Sequence, residues 1–226
     1  MRKDRRAGDS PISQSDYSSV AGHAAVVRYA ARRGGEGGDW VARPREGSVM
    51  PHVVVSGGSG TGKTTLLAEL ASRGYAIVED SARAIIAERL GRGETARPDA
   101  LGFAREIFRR DLEKYLDQPR SSRWVFFDRG LIDALGLLHE ASALPSGELT
   151  TILTAYPFHP TVFVLPPWEA IYANDAERDQ SFAEAVHVHT KVVEWYRACG
   201  YVLDEVPRLP VAQRAAHVLG VLDQHA

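Results

Sequence analysis

The sequence predicts a three-layer α/β fold, in which a parallel sheet of about five strands lies between two layers of helices. From residue 52 onward, short apolar runs alternate with longer helical patterns, as expected of parallel strands joined by crossover helices. A glycine-rich turn, GGSGTGKTT, separates the first apolar run from the first helix. The chain has 226 residues, of which 44% are hydrophobic, enough for one well-buried domain and too few for two large ones.

The first 49 residues differ in composition from the rest. They are rich in Arg, Gly, Ser and Asp, with one short apolar patch around Val26 and Tyr29. Such a segment buries too little apolar surface to offset the entropy of ordering the chain. We therefore predict a largely disordered N-terminal extension over residues 1–49 and a folded domain over residues 50–226, with Met50 as a candidate for the biological start.

Five apolar runs predict the strands of the sheet. The first, HVVVS at 52–56, is a buried strand that leads directly into the glycine-rich turn. The other four are YAIVE at 75–79, WVFFD at 124–128, TVFVLP at 161–166 and YVLDEVP at 201–207.

Helical patterns fill the connections between these strands. In the first, GKTTLLAELASRG, three leucines fall on one side and Gly74 ends the helix. Asp80 or Ser81 is the expected N-cap of the second. The later helices are DSARAIIAERLG at 80–91, PDALGFAREIFRRDLEKYL at 98–116, LIDALGLLHEA at 131–141, LTTILTAY at 149–156, one or two helices within 168–200, and PVAQRAAHVLGVLDQH at 210–225.

The glycine-rich turn predicts a phosphate-binding loop. It fits G-x-x-x-x-G-K-[ST] at every required position, after a strand and before a helix. Backbone N–H groups and the positive end of the helix can face an anion there, while Lys63 reaches the β and γ phosphates of ATP. The alternative is a tight glycine turn with an exposed lysine. The predicted nucleotide-binding residues are Gly57, Gly58, Ser59, Gly60, Thr61, Gly62, Lys63, Thr64 and Thr65.

The end of the third strand predicts a magnesium site. Asp128 stands where a metal-binding acid is expected in such a fold, and the Thr64 hydroxyl is a second ligand for Mg²⁺. Arg129 follows, and its guanidinium suits an oxygen of the substrate or of a phosphate. The alternatives are that Asp128 has no catalytic role and that Arg129 forms a surface ion pair.

The stretch VEDSAR, at the end of the second strand, predicts the acceptor side of the site. Ligands of doubly wound sheets bind beyond the carboxyl ends of the strands, so Asp80 can accept a proton from an acceptor hydroxyl and Arg83 can anchor the acceptor. Equally, Asp80 is an N-cap with Arg83 as its i,i+3 partner. Further along the chain, Arg178 lies in a charge-dense stretch. One interpretation is that this stretch forms a helical lid over the phosphates, and the other is that Arg178 is a solvated charge on a helix.

Overall composition argues against several classes of partner. The formal net charge of −2 gives no basic field for nucleic acid or anionic lipid. A single cysteine, Cys199, fits a reducing compartment. Since no apolar run approaches the roughly 20 residues of a membrane span, we expect a cytoplasmic protein without membrane or nucleic-acid partners.

As an ordered set, the motifs resemble small P-loop kinase-like proteins of the predicted ATPase/kinase type, and are similar to the nicotinamide riboside kinase domain of bacterial NAD-metabolism regulators. The resemblance covers residues 52–224 and rests on GGSGTGKTT, EDSAR, FFDRGLID, LPPWEAIYANDAERD and WYRACGYVLDEVP. It implies a P-loop NTPase fold with strand order 2-3-1-4-5 and a helical lid. It also implies that Asp128 and Arg129 form the DR pair of nucleoside and nucleotide kinases, that Asp80 and Arg83 face the acceptor, and that Arg178 is the lid arginine.

The expected function is an ATP- and Mg²⁺-dependent phosphotransferase acting on a small hydroxyl-bearing acceptor, such as a nucleoside. The predicted catalytic residues are Lys63, Asp80, Asp128 and Arg178. Two alternatives remain: a nucleotide-dependent switch that acts through a protein partner with slow hydrolysis, and an NTP-binding module that serves the N-terminal segment.

Overall fold

The computed structural model describes residues 51–96, 99–118, 123–145, 147–172 and 181–224. This part of the chain contains a five-stranded parallel sheet in the order β2-β3-β1-β4-β5. The strands are β1 (His52–Gly57), β2 (Ala76–Val78), β3 (Val125–Asp128), β4 (Thr161–Leu165) and β5 (Val202–Glu205). The predicted three-layer α/β fold and strand order are therefore confirmed.

Seven described helices connect and flank the strands. They are α1 (Lys63–Ser72), α2 (Ser81–Gly91), α3 (Ala100–Asp117), α4 (Leu131–Glu140), α5 (Glu148–Ala155), α6 (Phe182–Ala198) and α7 (Val211–Asp223). The stretch predicted as one or two helices contains a 3₁₀ turn at Glu169–Ile171 and then α6. Residues 173–180, with the predicted lid arginine Arg178, lie outside the described residues, as does the predicted extension with Met50.

The central strand β1 is covered on both faces. Val53, Val54 and Val55 are each 0% exposed, although successive side chains of a strand point to opposite faces. Helices must therefore pack on both sides, as parallel sheets require. Pairing with β3 and β4 sets Val55 beside Asp128 and Gly57 beside Leu165, so the carboxyl ends of three strands meet around the glycine-rich turn.

One face of the sheet carries the main apolar core, formed with α1 and α7. The three leucines predicted to share a side of α1 are all buried in it. The cluster consists of Val53, Val55, Leu66, Leu67, Leu70, Trp124, Phe126, Phe163, Leu165, Val206, Ala215, Val218 and Leu222. Because α1 is held on this face, its N-terminus is fixed at the edge of the sheet where β1 ends.

An aromatic cluster supports the other face near the amino ends of the strands. The ring of Phe158 lies 5.1 Å from those of Tyr115 and Phe127, and His52 stacks edge-on against Tyr115 at 4.8 Å. The Tyr115 hydroxyl donates to the carbonyl oxygen of Pro157 at 2.8 Å. These contacts hold α3 against the sheet, and α3 in turn packs along α4.

Candidate active site

The glycine-rich turn presents the N-terminus of α1 as a binding surface for an anion. Gly62, at the N-cap, has φ +82°, a left-handed conformation that favours glycine. No side chain caps the helix there. The first N–H groups of α1 therefore keep their capacity to bind a ligand, reinforced by the positive end of the helix.

Lys63 lies inside the turn rather than on its surface. Its side chain is buried, at 6% exposure, and Nζ donates to the carbonyl oxygens of Gly57 at 3.0 Å and Gly58 at 2.8 Å. A tight glycine turn with an exposed lysine is thus wrong as an explanation of the motif. Burial lowers the pKa of Lys63 to about 8, helped by the charge of Arg129 and opposed by nearby Asp128.

Asp128 ends β3 with one carboxylate oxygen unsatisfied. It is 9% exposed, and its Oδ1 is buried without a hydrogen-bond partner among the described residues. Burial raises the pKa of this carboxyl, while the charge of Lys63 lowers it. An orphaned carboxylate oxygen is a suitable ligand for a hard cation such as Mg²⁺. A second oxygen is available on Thr64, whose hydroxyl receives a long hydrogen bond from Arg83 at 3.4 Å.

Arg129 bridges the loop and the acceptor side of the site. Its backbone is left-handed, with φ +65°, and Nη2 donates to the Gly57 carbonyl at 3.0 Å. Nε lies 3.6 Å from Asp80 and Nη1 3.7 Å from Asp133. Burial alone would lower the pKa of the guanidinium, but the carboxylates of Asp80 and Asp133 more than offset it and the pKa is raised. Arg129 does form ion pairs, as its alternative interpretation held, but it forms them beside the phosphate loop.

Asp133 joins four parts of the site and was not singled out from the sequence. Its carboxylate accepts from the Ser56 hydroxyl at 2.8 Å, the Gly130 N–H at 3.0 Å and the Tyr196 hydroxyl at 2.5 Å. Tyr196 is fully buried on α6, and burial, then the charge of Asp133, raises its pKa well above the usual value. The signal available in the sequence was position alone, since Asp133 is the third residue of α4, where an acid can accept from the N–H of the N-cap residue Gly130.

Asp80 and Arg83 lie beside Arg129 and Thr64, and the N-cap interpretation of Asp80 is confirmed, whereas its role toward an acceptor stays a prediction. Asp80 is the N-cap of α2, accepting from the Ala82 N–H at 2.8 Å, and it also faces Arg129. Arg83 contacts the Thr64 hydroxyl instead of forming the expected i,i+3 pair with Asp80. Asp111 on α3 is a fourth acid: burial raises its pKa to about 7, while a hydrogen bond from Ser81 lowers this pKa and the charge of Asp80 raises it.

The structure brings most of the predicted residues together at the carboxyl edge of the sheet. Within the loop, the buried Thr61 hydroxyl donates to Gly58 at 3.1 Å, whereas Thr64 and Thr65 are exposed at the start of α1. Arg178 is the one predicted site residue outside the described part of the chain. The arrangement combines an anion-binding turn, a buried amine, an unsatisfied carboxylate and a row of guanidinium groups, which suits the transfer of a phosphoryl group.

The described ranges hold neither a preformed metal cluster nor a membrane-spanning helix. No group of three or more His, Cys, Asp or Glu residues that could hold a metal ion occurs there. None of the helices described in the structure combines the length and apolar character needed to cross a bilayer.

Comparisons with known proteins give a family and a fold. A family model described as an AAA domain matches residues 52–214. Among solved structures, the deoxyadenosine kinase of M. mycoides with bound dATP is similar, with a TM-score of 0.52 and 14% identity, over 76% of this chain and 98% of that one. The same kinase with dCMP and dCDP bound gives a TM-score of 0.49 and 13% identity, over 77% and 100%. No curated protein gave a significant sequence match.

Proposed function

The chain belongs to the AAA domain family, and from that premise we propose that it is an ATP-dependent phosphotransferase acting on a small hydroxyl-bearing acceptor. The similar solved structure supports a P-loop, kinase-like fold, and because that protein is a deoxyadenosine kinase, a nucleoside is the first acceptor class to test. The observation that carries the proposal is that a buried amine, Lys63, and a buried carboxylate oxygen without a partner, Oδ1 of Asp128, both lie by the glycine-rich turn.

In the proposed complex, the triphosphate lies along the turn from Gly57 to Thr65. The N–H groups of the turn bind its oxygens, and Lys63 exchanges its two carbonyl partners for β and γ oxygens. Thr64 and Asp128 would hold Mg²⁺, which when bound supplies positive charge to the phosphate oxygens. The transfer then depends mostly on positioning and charge neutralisation.

The acceptor is proposed to bind between Asp80, Arg83 and Arg129. The Asp80 carboxylate, oriented by its N-cap bond and by Arg129, would accept or orient the hydroxyl proton. Arg83 lies beside Thr64 and can move from that hydroxyl onto the acceptor or the transferred group. Arg178 is proposed to complete the charge around the γ phosphate.

A metabolite screen with γ-labelled ATP tests the proposal. The wild-type chain should label one acceptor, and Lys63→Ala should abolish labelling while circular dichroism shows an intact fold. Asp128→Asn is the companion variant, expected to lose most of the activity and to need a higher Mg²⁺ concentration for the activity that remains. Tight nucleotide binding and slow hydrolysis with no labelled acceptor would instead favour the nucleotide-dependent switch, and no nucleotide binding at all would reject both.

A further inference from the structure

A third cation, Arg214 of α7, lies against the phosphate loop, outside the predicted site. Its side chain is 6% exposed, and Nη1 is 3.3 Å from the carbonyl oxygen of Gly62. The fit is close, since a Cβ at position 62 would lie 2.9 Å from that same nitrogen. The guanidinium carbon lies 5.8 Å from the centre of the Trp168 ring.

The charge of Arg214 has no counter-ion in the described part of the chain. None of the described Asp or Glu side chains forms a salt bridge with it, and its Nε is buried without an acceptor. Burial lowers the pKa of the guanidinium, which reflects the unfavourable environment. An unpaired buried cation is costly, and here the nearby positive end of α1 increases that cost.

The surroundings of Arg214 fit one part of a nucleotide. A groove beside the loop, too narrow in this structure to admit a water molecule, is lined by Thr61, Leu165, Pro166, Trp168, Val206, Pro207, Arg208 and Arg214. Apart from Thr61 and the two arginines its walls are apolar, and one is an indole, a surface on which a base can stack once the groove opens. The guanidinium of Arg214 adjoins Gly62, the last glycine of the loop, so an anionic group beside it would be continuous with phosphates bound in the turn.

We propose that Arg214 is a nucleotide-binding residue whose guanidinium pairs with the phosphate nearest the ribose when the triphosphate enters the loop. This inference rests on the proposed function, because it requires the loop to bind a nucleotide. It adds a cation from the last helix to the predicted nucleotide-binding residues. It also places Trp168, whose ring centre lies 5.8 Å from the guanidinium carbon, beside the base.

The competing explanation is that Arg214 is a structural clamp between α7 and α1. The two explanations predict opposite results for Arg214→Met, which keeps the length of the side chain and removes its charge. If the arginine is a ligand for phosphate, the variant removes an uncompensated buried charge from the free protein. Its melting temperature without ligand should be unchanged or higher, while its affinity for Mg-ADP in calorimetry should fall at least tenfold.

Matched controls make the outcome decisive. Arg92→Met alters an exposed arginine after the C-terminal end of α2, where it faces Glu94, and it should leave ADP affinity within twofold. Inorganic tripolyphosphate, which has no base, should lose affinity for Arg214→Met by a factor similar to that for ADP. Arg214→Lys should recover part of the affinity, and Arg214→Gln provides the neutral comparison should the methionine variant fail to fold.

The proposal is overturned by any of three results. Unchanged ADP affinity in Arg214→Met would exclude contact with the ligand. A parallel loss of ligand-free melting temperature and affinity would identify the clamp. A loss for ADP without a loss for tripolyphosphate would place Arg214 on the base instead of the phosphate. Failure of the wild-type protein to bind either ligand, with Lys63→Ala equally inactive, would reject the nucleotide-binding function itself.

Discussion

The burial of Lys63 makes one property of the site depend on pH. Its pKa is lowered to about 8 because burial disfavours the charged amine, and its charge is needed against the phosphates. Above that pH, nucleotide binding must bring a proton onto the lysine, so affinity should fall as pH rises. Between pH 7 and pH 9 we expect about a tenfold loss of Mg-ADP affinity, from the fraction of protonated amine.

Calorimetry in buffers of different ionisation enthalpy measures both the affinity and the accompanying proton uptake. The matched control is Lys63→Arg, whose guanidinium stays charged over this range. Any binding that this variant retains should be insensitive to pH between 7 and 9. A wild-type affinity that is flat over the same range would show that another group sets the charge of the loop.

The contacts of Asp133 predict a role in placing Arg129. Asp133→Asn keeps the shape of the side chain and can keep part of its hydrogen bonding, but it removes the charge that faces Arg129 at 3.7 Å. We expect kcat to fall by at least tenfold with the nucleotide KM changed less than threefold, and the free energy of unfolding to fall by about 1–3 kcal/mol. Steady-state kinetics and urea unfolding measure the two effects.

Tyr196→Phe separates that role from simple stabilisation. It removes one hydrogen bond to Asp133 and leaves the Arg129 contact in place. The phenylalanine variant should lose about 1 kcal/mol of stability and keep its kcat. Equal losses of kcat in the two variants would mean that Asp133 acts only through the packing of α6 on α4.

At the residue scale, the sequence predicted the groups that a spacing rule defines. The motif placed Lys63 and Thr64, and the end of an apolar run placed Asp128. Asp133, Tyr196 and Arg214 obey no such rule, since the contacts of Asp133 with Ser56 and Tyr196, and that of Arg214 with Gly62, join residues 63 to 152 positions apart. Only the packing of α4, α6 and α7 on the sheet brings them to the loop.

At the scale of elements, α6 sets the room available to the phosphate loop. A Cβ at position 58 would lie 2.9 Å from the carbonyl oxygen of Ala185 in the first turn of α6. Gly58→Ala must therefore displace either the loop or the helix, with an expected cost of about 1–3 kcal/mol and at least a tenfold loss of Mg-ADP affinity. Thermal unfolding and calorimetry measure these.

Gly91→Ala is the control for that substitution. Gly91 ends α2, and a Cβ there would meet no heavy atom within 4 Å. Its substitution should be neutral or raise the free energy of unfolding by about 0.5–1 kcal/mol, as alanine favours helix. If Gly58→Ala also proves neutral, α6 does not constrain the loop, and the coupling between them is absent in solution.

The elements themselves were largely accessible from apolar periodicity and from caps. The predicted strands and helices agree with the observed ones to within a few residues, and Asp80 is the N-cap as expected. The pattern could not decide how the stretch 168–200 divides, because both a 3₁₀ turn and a helix satisfy its spacing. Here the α6 capping box formed by Ser181 and Glu184, a Ser-x-x-Glu pattern present in the sequence, marks the start of the helix.

At the scale of the whole molecule, local patterns determine a parallel α/β sheet but not the order of its strands. The order came from the resemblance to P-loop kinase-like proteins, and it matters because β1 at the centre puts the turn between Asp128 on one neighbour and Leu165 on the other. Every strand of the sheet and both helices of the main core begin at or after residue 52.

This placement predicts that the first 49 residues can be removed. Among the described residues, the core and the candidate site are built from positions 52–224. A chain starting at Met50 should therefore match the full chain in melting temperature within about 2 °C, a shift that corresponds to well under 1 kcal/mol for a domain of this size. Its kcat and nucleotide KM should be unchanged. Differential scanning calorimetry and the labelled-ATP assay make the comparison. A truncated chain that folds normally but loses turnover would instead support the alternative in which the nucleotide-binding domain acts through its N-terminal segment.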